Sequence, residues 1–85
     1  MGVFAAMPRY FFHLHDGVVT PDHEGTELSD AEAARARAAH EALCMASESI
    51  RQDARLILHH EVVVTDEAGL EVTRVSFGQI ISVLP

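Results

Sequence analysis

Between Ser29 and Arg51 the chain runs without glycine or proline and is rich in alanine, and this stretch fixes the architecture more than any other. Ser29-Asp30-Ala31-Glu32 has the form of a capping box. The Ser29 hydroxyl accepts from the Glu32 amide, and the Glu32 carboxylate reaches back. Acids in the first turn also complement the helix dipole. From Asp30 to about Arg51 a stripe through Ala31, Ala34, Ala38, Ala39, Ala42, Leu43, Met45, Ala46 and Ile50 faces one way, and Arg37, His40, Cys44, Glu48 and Arg51 fall on the solvated arc. Small alanines let such a helix approach a sheet closely.

The strands are legible on either side. Along residues 8 to 15, Tyr10, Phe12 and Leu14 occupy one face, the natural core face, and Arg9, Phe11, His13 and His15 the other. Asp16-Gly17 signals a turn, and Val18-Val19-Thr20 forms a short returning strand that Pro21 stops. The loop PDHEGTEL leads to the helix. After it, Leu56 to Thr65 is strand-like around Val62-Val63-Val64. Asp66-Glu67-Ala68-Gly69 is a hairpin turn, and Leu70 to Phe77 returns antiparallel. The expectation is an α+β domain, ββαββ in order, with one long helix on one face of a small antiparallel sheet. Residues 7–77 form a single domain, 1–6 an N-terminal extension, and 78–85 an apolar tail that docks on the core or covers a partner.

Thirteen acids against six arginines and no lysine give a net charge of −7. That balance repels phosphate backbones and anionic membrane surfaces, which excludes nucleic acid and membrane as partners. Protonation of all six histidines near pH 5 to 6 would bring the charge to about −1, so solubility should fall on mild acidification. The single cysteine, Cys44, cannot close an intramolecular disulfide and gives no sign of an oxidising compartment. The opening MGVFAAMPRY lacks the basic region of a signal peptide. No apolar run is long enough to span a bilayer. A cytoplasmic location is expected.

The order of MPRYFFHLHDG, PDHEGTEL, a capped Ala/Arg-rich helix and VVVTDEAGLEVTRVSF resembles a family of small bacterial domains of unknown function, abundant in rhizobia-like Alphaproteobacteria. Its members typically open Pro-Arg-Tyr-Phe-Phe-His and carry Asp-Glu-x-Gly before the helix and Thr-Asp-Glu-x-Gly in the hairpin. The resemblance runs from about Met7 to Phe77. It implies a fold and carries over no catalytic or ligand-binding residue. Asp22-His23-Glu24-Gly25 departs from the pattern by an added histidine, MGVFAA looks like an extension or an early start codon ahead of Met7, and the tail is more apolar than the pattern suggests.

The sharpest candidate for chemistry is a metal site. His13 and His15, about 7 Å apart on one strand face, have a spacing that lets two imidazoles chelate Zn²⁺ or a similar divalent ion, with His23, His59-His60 or Asp16 completing the set. The plainer reading keeps them half-exposed, each ring satisfied by a carboxylate or backbone group. Asp22-x-Glu24 and Asp66-Glu67 lack EF-hand spacing and suit ordinary turns. Catalysis has little footing: His15 and Asp16 point to opposite faces, Cys44 lies inside the helix, and a chain this small has difficulty enclosing a pocket. A non-catalytic module without cofactor is expected. One helix leaves the face of Arg9, Phe11, His13 and His15 to solvent or a partner, and Phe11 is a poor solvent residue. With Phe4 and the apolar tail, these residues are expected to form the interface of a homodimer, or to bind another protein. Histidines in such an interface would weaken it on protonation.

Overall fold

The computed structural model describes residues 7–85; the extension at 1–6, with Phe4, lies outside the described residues. Seven elements follow in order: β1 (Arg9–His15), β2 (Val19–Thr20), β3 (Thr26–Glu27), α1 (Ala31–Asp53), β4 (Glu61–Thr65), β5 (Glu71–Ser76) and α2 (Phe77–Ile80). The fold is α+β, with an antiparallel sheet in the order β2-β1-β4-β5 and β3 also pairing with β1. β1 and β4 are the central strands, in register from Phe11 opposite Thr65 to His15 opposite Glu61. β5 continues the sheet beyond β4, with a bulge near Thr65.

β1 shows the alternation its sequence dictates. Tyr10 and Phe12 are 6% and 9% exposed and join the core with Val62, Val64 and Phe77. Against them α1 presents Ala34, Ala38, Ala42 and Ala46, all fully buried. These lie four apart in a single row, so helix and sheet meet along a line of methyl groups. The buried stripe is narrower than the expected one: Leu43 and Ile50, both 48% exposed, sit on its outer flank. Arg37, His40, Cys44, Glu48 and Arg51 are all exposed.

Other boundaries also differ from expectation. Asp30 rather than Ser29 caps α1, its carboxylate accepting from the Ala33 N–H at 2.8 Å. A carboxylate in that position also meets the positive helix end. The helix stops at Asp53 because Ala54 turns left-handed, its N–H still bonded to the Ile50 carbonyl. β4 begins at Glu61, not Leu56. Residues 56–60 form a turn, with the His60 N–H on the Ile57 carbonyl, and are held by Gly78 N–H on the Leu58 carbonyl and Phe77 N–H on that of His60. The loop before the helix contains a strand of its own, β3, whose Thr26 and Glu27 pair with Tyr10 and Arg9. In the tail, α2 is a single turn, and Ile80 and Ile81 pack on the core while Val83 and Leu84 are exposed.

Candidate functional site

On the outer face of β1, the residues singled out by sequence are tied to their own chain. Asp22 lies beside β1 between the segments that pair with β2 and β3. Its Oδ2 accepts from Phe12 N–H at 3.1 Å, and its Oδ1 accepts from the N–H groups of Glu24 and Gly25, each at 3.1 Å. A side chain thus completes the ladder where no strand partner exists. Burial alone would raise this carboxyl. The N–H groups of Phe12, Gly25 and Glu24, with the nearby His13, hold it below its ordinary value.

His13 closes the same loop. The Asp22 N–H points at Nδ1 from 3.1 Å, so that nitrogen accepts and the proton sits on Nε2, where it reaches Thr65 Oγ1 at 2.9 Å. Both ring nitrogens are therefore engaged, and a metal ion at His13 would have to displace one of these partners. His15 lies elsewhere, opposite Glu61 in a shallow groove of about 370 Å³ with Val18, Val19, His59 and His60. Among the described residues, no three His, Cys, Asp or Glu side chains are grouped to hold a metal ion.

Phe11 is half-buried, and part of its ring is covered from within. Gly25 has φ +72, and a Cβ there would come within 2.8 Å of Arg9 Cγ and 2.9 Å of Phe11 Cε1. Only glycine lets the loop lie on that ring. The Phe11 ring also stacks on His13 at 6.5 Å. Arg9 donates to the Glu24 carbonyl at 2.7 Å and to Glu27 Oε1 at 2.8 Å, and its N–H donates to Glu67 Oε1 at 2.9 Å. Further along, Val63 is 5% exposed between His13 and Arg74 in register, and Arg74 bridges Glu61 and Glu71. The Arg74 guanidinium beside Glu71 holds that carboxyl low, with a smaller contribution from His15, while Glu71 and Glu61 raise the guanidinium further. Residues from three separate segments, Arg9 and His13, Asp22 to Gly25, and Thr65 to Glu67, thus form one bonded corner. Hydrogen bonds of this kind between distant segments leave no periodic signal in a sequence.

The inner face of β1 is different. A helix is about 10 Å wide, roughly two strand spacings. α1 packs over β4 and β5, so the far end of β1 lies beside the helix rather than under it. Leu14, on the same face as Tyr10 and Phe12, is only half-buried. A groove runs along this side, walled on α1 by Glu41, Met45, Ser49 and Asp53, which follow one another at four-residue steps. At the rise of an α-helix such a row is about 18 Å long. One part of the groove, about 300 Å³, is lined by Phe12, Thr20, Pro21 and Thr26; the other, about 540 Å³, reaches Asp16, Ile57, His60 and Phe77. Leu14 and Met45 belong to both. The small size of the chain argues against an enclosed pocket, and the depression is instead an open groove. Sequence reasoning missed it. Its one available signal was the row of long or polar side chains beside the alanines.

Cys44 Sγ lies 3.5 Å from His40 Nε2 on the exposed arc of α1 and belongs to neither region. No helix among the described residues is long and apolar enough to cross a membrane. A family model, described as a domain of unknown function (DUF6894), matches residues 9–78. No curated protein and no solved structure matches the chain. The match spans the bonded corner, the helix and both hairpins, and the chain belongs to this family of domains of unknown function.

Proposed function

We propose that this domain is a non-catalytic protein-interaction module whose receptor surface is the groove between α1 and the inner face of β1. The observation that carries the reading is the position of α1 over β4 and β5, which leaves Leu14 and Met45, both half-buried, lining an open groove of mixed polar and apolar character. Long open grooves with polar rims suit a polypeptide segment, whose side chains fill successive depressions. The outer face of β1 draws less support. Self-association through Arg9, Phe11, His13 and His15 requires an open apolar face, and there Phe11 lies against Gly25 while Arg9 and His13 are bonded to the chain's own loop.

A photo-crosslinking side chain at Ser49, in the groove wall, tests this in the cells that express the protein. The expected result is a discrete adduct that Met45→Glu abolishes, with none from the same group at Ala36 on the solvent arc. The same adducts from both positions, or none from either, overturn the reading.

A further inference from the structure

We infer that the occupant of this groove is a basic amphipathic helix of a partner protein, an inference that rests on the groove being a receptor surface. The wall from Glu41 to Asp53 is an i, i+4 ridge inclined to the axis of α1 over about three turns, the kind of ridge against which a partner helix packs at an angle. Half-buried Leu14, Met45 and Ile57 offer the apolar contacts for the stripe of an incoming helix, above the buried Phe77. Around them the rim carries four carboxylates, Asp16, Asp22, Glu41 and Asp53, against one guanidinium, Arg55, and the His60 imidazole at one end. Asp22 is held by three backbone N–H groups and Glu41 by Arg37. That leaves the exposed Asp16 and Asp53, flanking the wider part of the groove, as the acids best placed for a ligand's cations.

Charge complementarity therefore selects lysine or arginine at the flanks of the incoming helix, and a chain of net charge −7 steers such a segment toward it. A second copy of this chain, equally acidic, is disfavoured on the same ground. The pairing is a receptor for an amphipathic helix, in which apolar contacts supply affinity and the acidic rim supplies orientation and preference for a cationic segment.

The test uses the full chain and a synthetic Leu/Ala/Lys amphipathic peptide of about 14 residues, long enough for the groove, beside a counterpart with every Lys replaced by Glu. Nuclear magnetic resonance titration should move the signals of Leu14, Met45, Ser49 and Asp53 with the basic peptide and leave them in place with the acidic one. Asp16→Asn with Asp53→Asn should weaken the basic peptide about five-fold or more, and about 0.3 M salt should weaken it similarly. Ser49→Arg, at a half-buried position in the wall, should abolish binding with an unchanged circular dichroism spectrum. Equal or tighter binding of the acidic peptide in the groove overturns the basic-helix inference and leaves the receptor reading standing. Binding of the basic peptide elsewhere on the acidic surface, or no contact of either peptide with the groove, overturns both.

Discussion

The two faces of β1 solve the same problem in opposite ways. Outward, Phe11 and His13 are residues a solvent face does not favour, and the chain returns over them: Gly25 rests on the ring, and Asp22 supplies the missing ladder partner. Inward, Leu14 continues the core row of Tyr10 and Phe12 and packs against the core, yet the only long helix among the described residues passes over β4 and β5 and leaves it half-buried. A loop of a few residues can seal a strand when its side chains replace a partner's backbone. A single helix cannot cover four strands. The inner face is therefore closed over Tyr10 and Phe12 and left open only at its far end, around the half-buried Leu14, where the alternation pattern alone would continue the core.

Several substitutions break or sharpen this contrast, and the largest effect is expected at Gly25. Gly25→Val forces a branched side chain into a left-handed backbone and against Phe11 and Arg9. It should cost about 2–4 kcal/mol in urea unfolding. A loss below about 0.5 kcal/mol, the range of an ordinary surface change, would show that the loop does not lie on the ring. Asp22→Ala leaves three backbone N–H groups without their acceptor, the Phe12 N–H partly buried. It should cost about 1–3 kcal/mol.

Asp22 also sets a pH dependence with a definite sign. Its carboxyl titrates below the ordinary value in the fold. The stabilisation is therefore fully present above about pH 4 and is lost as pH falls from there through the folded value. Acid unfolding curves of the wild type and Asp22→Asn should converge at low pH. Curves that stay parallel would remove Asp22 from the account. Thr65→Val takes the acceptor from His13 Nε2. Its cost should be about 1 kcal/mol. Smallest of all, Ser49→Ala in the groove wall should change stability by less than about 0.5 kcal/mol, since the groove is open to solvent. A large loss there would mean that the groove is closed in solution.

Much of the fold was legible because it rests on period. The alternation of Tyr10, Phe12 and Leu14 and the alanine row of α1 are repeats that any packing of helix on sheet must use. The ends of elements were less so. Ser29 and Asp30 both have capping side chains, and only the backbone turn decides between them. Val62-Val63-Val64 marked β4, but the turn at 56–60 is made by backbone bonds to residues 77 and 78. At the candidate sites legibility failed in two ways. His13 and His15 share a face and a spacing, which suggested joint chelation, yet one is bonded to Asp22 and Thr65 while the other sits beside Glu61. The groove depends on where the helix axis crosses the sheet, a quantity no local pattern encodes.

The most direct test of the contrast between the two faces is cross-saturation from the basic amphipathic peptide to the deuterated domain. Irradiating the peptide's aliphatic protons should reduce the amide signals of Leu14, Met45, Ser49 and Asp53 and spare those of Phe11, His13 and Gly25. Transfer centred on Phe11, His13 and Gly25 instead would show that the outer face of β1 is the open one.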